Sequence, residues 1–310
     1  MFTIPNGVYP TMITPYTKDN EVDYENVKRI ASWYIQKGCE GIFSVCQSSE
    51  MFYLSLDERV NIAKTVKNTA GPNVCVVASG HTGSSIEEQA YELNAMAETG
   101  VDGIVLVSNR LDMHNDGDTV WIKNAEKLLS KIKSDIPLGI YECPHPYKKL
   151  LSSAILNWMK ETNRFVFIKD TCCSPNLLKQ RLELLRGSGI KLYNANGQTL
   201  LYSLRLGAGG YSGIMANFHP EIYVWLCKNP DHPYAEKVQT FLSLYAFTEA
   251  LPYPLTAKYR MSLEGIPVNL ESRMVDKKRW DDFAKFMIHQ LLDIEKETIE
   301  YIKKMDSKSI

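Results

Sequence analysis

Lys169 is the residue whose position most constrains the chemistry of this chain. It follows directly on Phe165-Val166-Phe167-Ile168, four apolar residues of strand character, so it is expected to be partly buried at a strand end. Burial disfavours an ammonium and lowers its pKa. A fall from about 10.4 to near neutrality corresponds to roughly 4 kcal/mol of differential solvation. A neutral, desolvated lysine amine adds to carbonyl groups and forms Schiff bases. Position alone leaves a second reading open, an ion pair with Asp170 or Glu50. Tyr141 ends the preceding apolar run, Leu138-Gly139-Ile140-Tyr141, and on a neighbouring parallel strand its phenol stands beside Lys169. There it can carry protons to and from a developing alkoxide; otherwise it caps the core. Ser48 and Ser49 follow another such run. Hydroxyls and N–H groups in that turn can hold a carboxylate without a cation that competes for a keto group, although Ser-Ser is also ordinary turn chemistry.

Other polar residues fall at strand ends. His81 and His145 are placed to touch a polyhydroxylated or anionic substrate, or simply to face water as loop residues. Thr14 follows the first strand, where a hydrogen bond within the core is the plainer role. Cys172 and Cys173 come just after the lysine and are expected to line its pocket; no histidine stands near in sequence to make either a thiolate nucleophile. No pair of histidines with a carboxylate has metal-ligand spacing, so no metal is expected; a Schiff base on Lys169 would supply its own electron sink, so no organic cofactor is expected either.

These residues need a scaffold that brings strand ends together. Short apolar runs recur at Gly7–Met12, Gly41–Val45, Val74–Ala78, Gly103–Val107, Leu138–Tyr141, Phe165–Ile168, Lys191–Asn194 and Gly210–Met215. Between most of them lies a stretch of helical periodicity, as in Asp23–Gln36, where Val27, Ile30, Ala31 and Tyr34 share a face. Gly38 and Gly100 stand where left-handed caps would end helices. Strands alternating with helices predict a parallel sheet. A doubly wound open sheet usually carries Gly-x-Gly-x-x-Gly after its first strand; here that place reads Thr14-Pro15-Tyr16-Thr17. Eight units therefore predict an α/β fold of the closed (β/α)8, or TIM, barrel type over residues 1–220, with the active site at the C-terminal ends of its strands. Residues 221–310 read as a C-terminal helical region. Trp280, Phe283, Ala284, Met287, Leu291 and Ile294 form an apolar stripe there, predicted to pack on the barrel or to meet another subunit.

Composition bounds the rest. In 310 residues, 35 Lys and Arg balance 36 Asp and Glu to a net charge of −1, which gives no electrostatic case for nucleic acid or an anionic membrane. Seven cysteines, two of them adjacent, are no disulfide framework and suggest a reducing, cytoplasmic setting. Neither a signal peptide nor a membrane span is visible.

Together Ser48-Ser49-Glu50, Tyr141-x-x-Pro144 and Ile168-Lys169-Asp170 resemble the dihydrodipicolinate synthase/N-acetylneuraminate lyase family. The resemblance begins at Gly7-Val8-x-Pro10-Thr11-x-x-Thr14-Pro15-Tyr16 and continues through Leu54-Ser55-x-x-Glu58-Arg59. It ends with Gly207-Ala208-x-Gly210-x-x-Gly213, Asn217 and Pro252-Tyr253-Pro254-Leu255-Thr256-Ala257-Lys258. It implies a barrel with a helical extension, a homotetramer or homodimer, and a Schiff base between Lys169 and pyruvate or another 2-keto acid, with Tyr141 as the proton-relay phenol. The family's turn after strand two falls on Cys46 to Glu50, so Gln47 takes the first hydroxyl position, Ser48 the second, and Ser49 that of a glycine.

The resemblance also places Asn196, Gln198 and Ser212 where the second substrate, an aldehyde, is held. Dihydrodipicolinate synthases carry a tyrosine pair after strand four, where this chain has Asn109-Arg110-Leu111-Asp112. They also carry an arginine shortly after the strand-five tyrosine, near Pro146 here. Lys148, Lys149 and Arg110 are the cations close enough in sequence to take its place. The expected activity is thus a pyruvate-dependent aldolase or lyase. Dihydrodipicolinate synthase itself and a barrel that binds keto or sugar acids without turnover are the alternatives. The glycines of Gly207–Gly213 also allow a phosphate-handling barrel, which leaves Lys169 and Tyr141 unused.

Overall fold

Strand residues rich in Val, Ile and aromatics suit a pleated surface buried on both faces, and the eight apolar runs do form strands. The computed structural model describes residues 3–306; positions 1–2 of the expected barrel and 307–310 of the expected helical region lie outside the described residues. In chain order the first half holds β1 (Gly7–Val8), α1 (Tyr24–Gln36), β2 (Gly41–Phe43), α2 (Leu56–Ala70), β3 (Cys75–Ser79), α3 (Ile86–Ala97), β4 (Gly103–Val107) and α4 (Asp118–Leu129). The second half continues with β5 (Leu138–Tyr141), α5 (Ser153–Thr162), β6 (Phe165–Asp170), α6 (Pro175–Leu185), β7 (Lys191–Asn194), α7 (Leu200–Arg205), β8 (Gly210–Tyr211) and α8 (Pro220–Lys228). Beyond these lie α9 (Ala235–Tyr245), α10 (Leu255–Leu263) and α11 (Asp282–Asp306).

All strand pairs are parallel, in the order β1-β8-β7-β6-β5-β4-β3-β2. The ring closes just past β1. Met12 N–H donates to the Phe43 carbonyl at 3.0 Å and Phe43 N–H to that of Pro10 at 3.0 Å. The fold is the expected (β/α)8 barrel. β1 and β8 are each two residues long, shorter than the runs Gly7–Met12 and Gly210–Met215, because their continuations turn into the loops of the barrel mouth. The pair meets so closely that a Cβ on Gly210 would lie 1.8 Å from the Gly7 carbonyl oxygen.

The Leu54-Ser55-x-x-Glu58-Arg59 motif both starts a helix and ties it to its neighbours. Ser55 accepts from Glu58 N–H at 3.2 Å while Glu58 Oε2 accepts from Ser55 N–H at 2.8 Å, a capping box that opens α2. Arg59, next in that motif, reaches across to the Gly80 carbonyl at 2.9 Å and Glu92 at 2.8 Å, tying α2 to the β3 loop. Inside the barrel, alternation turns Phe165, Phe167 and Lys169 to one face of β6. Phe167 stacks on Tyr193 with centroids 4.7 Å apart, and Tyr9 meets Tyr193 edge-on at 4.7 Å. This aromatic layer is the floor beneath Lys169. Gly139 makes room for it, since a Cβ there would approach Phe167 and Val105 to 3.0 Å.

The boundary expected at residue 220 falls where α8 begins, and α8 packs against β1 and β8 as the eighth helix of the barrel. The stripe expected on the last helix divides between a buried and an exposed side. Trp280 precedes α11, and the buried face carries Ala284, Ile288, Glu295 and Ile302, while Phe283 and Ile294 are more than half exposed. The reason is Glu295, whose pairing with buried Arg260 at 2.7 Å turns that face inward. Among the described residues no helix is long and apolar enough to cross a membrane.

His219 carries an acid sensitivity. It is fully buried between Tyr223, Phe241 and Tyr245, neither ring nitrogen has a hydrogen-bond partner among the described residues, and burial lowers its pKa to about 3. The unfolded chain takes up this proton near pH 6.5 and the folded chain does not, so stability falls as the pH drops from about 6.5 towards 3. His219→Phe is expected to match or exceed the parent at pH 7 and to gain about 2 kcal/mol on it at pH 5. Urea melts at the two pH values check this; identical pH dependence in both proteins contradicts it.

Candidate active site

Tyr141 and Lys169 are register partners on β5 and β6, the last inward pair of each strand. Lys169 Nζ lies 4.1 Å from the centre of the Tyr141 ring and 5.8 Å from that of Phe43. Both residues are buried. Neither acid named as a partner from sequence pairs with the lysine. Asp170 points outward to Arg181 of α6, and Glu50 binds Lys258 at 3.1 Å. Lys169 forms no salt bridge among the described residues. Burial lowers its pKa, opposed by the thiols of Cys46 and Cys143. The same burial, with those thiols, holds the Tyr141 phenol well above its ordinary value.

Alternation that turns Tyr141 and Lys169 inward turns Glu142 and Asp170 outward. Arg181 bridges that outer pair, contacting Glu142 Oε1 at 2.7 Å and Asp170. Glu142 also accepts from Leu151 N–H at 2.7 Å and Thr171 N–H at 2.8 Å. The two inward residues are therefore held from behind by one buried guanidinium.

A cavity of about 200 Å³ opens over them at the C-terminal ends of the strands. Of the residues expected at the site, Lys169, Tyr141, Gln47, Ser48 and Asn196 line it. Gln47 Oε1 accepts from the Tyr141 hydroxyl at 3.4 Å, and Ser48 Oγ donates to Thr11 Oγ1 at 3.1 Å. Asn196 shares its side chain with the cavity and with Gln198, to which it donates at 2.6 Å.

The structure places the other expected residues elsewhere. Ser49 Oγ is buried and donates to the backbone carbonyls of Met12 and Ser44 at 2.7 and 3.0 Å, because a side chain in the glycine place must find partners within the turn. Ser212 Oγ likewise donates to the Tyr9 carbonyl at 3.0 Å. Thr14 donates to the Ser49 carbonyl at 2.7 Å, the core role expected of it. Arg110 lies over Phe52 at 5.0 Å, and His145 meets the same ring edge-on at 5.2 Å, so both form a cluster outside the cavity lining. His81 is buried and structural: Nε2 accepts from Val107 N–H at 2.5 Å and Nδ1 pairs with Gln89 at 3.0 Å. Of the two lysines shortly after His145, Lys149 pairs with Asp112 at 2.9 Å, whereas Lys148 lines the cavity and donates to the Thr171 carbonyl at 2.9 Å. Cys173 lines the cavity as expected, and desolvation there raises its pKa; Cys172 is not part of the lining, and its thiol points to the Ser174 carbonyl.

Sequence reasoning missed Glu249, Tyr253 and Met274, which the C-terminal segments bring to the cavity. The signal for Tyr253 was the Pro-x-Pro break between helices. Met274 is placed by Glu50, whose carboxylate accepts from Ser272 Oγ at 2.9 Å and from the N–H groups of Arg273 and Met274 at 2.6 and 2.9 Å. Among the described residues no three His, Cys, Asp or Glu converge as metal ligands.

Comparison with known proteins gives consistent findings. The profile of the dihydrodipicolinate synthetase family matches residues 4–275, past the barrel and through the segments that carry Tyr253 and Met274. A 4-hydroxy-tetrahydrodipicolinate synthase of Methanococcus maripaludis is 27% identical over 277 residues, covering 84% of this chain and 89% of that protein. YagE, a prophage protein of the dihydrodipicolinic acid synthase family from E. coli K12 solved with pyruvate, superposes with a TM-score of 0.84 at 22% identity, over 94% of this chain and 98% of that one. The sialic acid aldolase of Ruminococcus gnavus gives 0.84 at 16% identity, over 96% and 98%. The two structures share the fold with this chain.

Proposed function

The chain belongs to the dihydrodipicolinate synthetase family, whose members include lyases acting on carbon–carbon bonds, and from that membership we propose that it is a class I aldolase or lyase in which Lys169 forms a Schiff base with pyruvate. The observation that carries this reading is a buried lysine in no salt bridge among the described residues, its ammonium-disfavoured nitrogen facing a cavity beside a phenol. A lysine kept for structure would be expected to hold one of the acids nearby. Here Asp170 and Glu50 are taken by other cations.

In the proposed reaction the neutral amine attacks the keto carbon and water leaves, with Tyr141 moving the proton of the carbinolamine oxygen. The resulting iminium withdraws electrons from the adjacent methyl carbon, so no metal or organic cofactor is needed as electron sink. The enamine then adds to an aldehyde, or arises when a longer 2-keto acid is cleaved. The Ser48 hydroxyl and the amides of its turn are the groups at hand for the keto acid's carboxylate. For the second substrate the only cation free to enter the cavity among the described lining residues is Lys148. That favours an aldehyde bound largely through hydroxyls and one lysine over one clamped by an arginine fork, as dihydrodipicolinate synthase itself would require. A homo-oligomeric, cytoplasmic enzyme remains part of this proposal.

Borohydride reduction in the presence of pyruvate tests it. A single adduct of fixed mass is expected at Lys169 by peptide mass spectrometry. No adduct with pyruvate or with longer 2-keto acids would sink the Schiff-base reading and leave a binding barrel without turnover.

A further inference from the structure

Lys169 and Tyr141 account for carbinolamine chemistry, but carbon–carbon bond formation also needs a base for the methyl proton of the bound keto acid. Tyr141 is poorly placed to pass that proton on. Its hydroxyl is tied to the amide oxygen of Gln47 at 3.4 Å, and an amide oxygen accepts a hydrogen bond without relaying a proton. The serine beyond it donates away from the phenol, to Thr11.

One carboxylate enters the cavity. Glu249 is the fourth residue of a 3₁₀ turn spanning Ala246–Ala250, which follows α9 and precedes the Pro252-Tyr253-Pro254 break. Thr248 anchors that turn by donating to the Tyr245 carbonyl at 2.7 Å and contacting Met215 of the β8 loop. Glu249 is exposed at the cavity rim, yet it is the one acidic residue among the described residues that line the cavity. Its carboxylate has no hydrogen-bond or ion-pair partner among the described residues. The charged and titratable groups that face it are Lys169 of β6, Lys148 of the β5 loop, Cys173, and the phenols of Tyr211, Tyr223 and Tyr253.

We propose that Glu249 is the general base that takes a methyl proton from the Lys169-bound keto acid and later returns it to the carbonyl oxygen of the aldehyde. The proposal rests on the Schiff-base reading. In the first step the C–H pair becomes the carbon–carbon π bond of the enamine, the C=N π pair moves to nitrogen, and the proton goes to Glu249. In the second, the enamine carbon attacks the aldehyde carbon, the iminium re-forms, and the aldehyde oxygen takes the proton from Glu249. The carboxylate is regenerated with no other acid, base or redox partner. At the rim the cavity walls take part of the water from the Glu249 carboxylate and raise its pKa to about 7, opposed by Lys169, which suits a group that must both accept and give a proton near neutrality.

Pyruvate alone suffices as the probe. In D2O the wild-type protein is expected to exchange the methyl protons of pyruvate, followed by NMR, with a rate that rises with pH through about 7. Glu249→Gln is expected to keep the borohydride adduct at Lys169, to slow exchange by roughly 10²–10⁴-fold and to lose that pH limb; Glu249→Asp is expected to restore part of the rate and the limb. Exchange at the wild-type rate in Glu249→Gln overturns the proposal. So does a wild type that forms the adduct but exchanges no methyl protons. Loss of the adduct along with exchange in Glu249→Gln assigns the residue a structural role and overturns it as well. Absence of the adduct in the wild type defeats the Schiff-base reading first, and the role of Glu249 with it.

Discussion

Lys169→Met is expected to abolish pyruvate methyl exchange and carbon–carbon bond turnover, by at least about 10⁵-fold, the low end of what holding a nucleophile in place contributes, while the melting temperature rises by a few degrees. Both effects follow from the same burial. Burial takes water from the amine, which is what the proposed nucleophile needs, and for the same reason its charged form is disfavoured in the fold. The unfolded chain carries this lysine protonated up to about pH 10.5 and the folded chain binds the proton more weakly, so stability lost at neutral pH returns as the pH rises towards 10.5. Methionine keeps the volume and removes that penalty, as polar groups held for catalysis often allow. Its advantage in thermal melts should therefore shrink between pH 7 and pH 10. A variant that exchanges pyruvate protons normally removes Lys169 from the mechanism. One that melts lower than its parent at pH 7 shows instead that the ammonium was stabilising the barrel mouth.

Arg181→Leu is expected to cost about 3–5 kcal/mol, the range for removing one partner from a buried ion pair, out of a total that for most proteins is roughly 5–15 kcal/mol. The guanidinium is 4% exposed and both of its acids are fully buried, so water cannot take its place. The loss arises from two stranded carboxylates more than from missing attraction. Adding Glu142→Gln and Asp170→Asn to Arg181→Leu should recover a large part of it, which a double-mutant cycle in urea reads directly. Since Glu142 and Asp170 directly follow Tyr141 and Lys169, the single variant should also lower turnover per folded molecule. Destabilisation below about 1 kcal/mol would mean that the cluster relaxes and that β5 and β6 hold their register without it.

The part of the site carried on strands was legible because two short rules fix it. Period-two alternation decides which way Phe167, Lys169 and Asp170 face, and parallel register sets Tyr141 beside Lys169. Neither rule says what a loop hydroxyl does. Ser49 and Ser212 sit at strand ends like Ser48, but backbone carbonyls claim them, and sequence does not record where a carbonyl points. Arg110 and His145 were drawn out of the cavity by Phe52, a partner from another loop. Glu249, Tyr253 and Met274 were illegible for a different reason. They return to the mouth from beyond the last barrel helix, in segments without the alternation that identifies the rest. The last helix turns a second side inward that its apolar pattern does not show, because Glu295, polar in sequence, is buried by pairing with Arg260.

The carboxylate of Glu50, in the turn after β2, waits for partners from the far end of the chain. Lys258, Ser272 and the N–H groups of Arg273 and Met274 are its counterparts, and both Glu50 and Lys258 are fully buried. A chain made from its N-terminus has all eight strands in hand by Tyr211 and the eighth helix by Lys228, yet at that moment the Glu50 turn has no cation and the mouth has no roof. Translation must proceed beyond residue 274, and that stretch must clear the ribosome, before the barrel can seal its own entrance. A nascent chain can thus complete its barrel while the mouth is still unfinished, and the segment at residues 272–274 is what closes it.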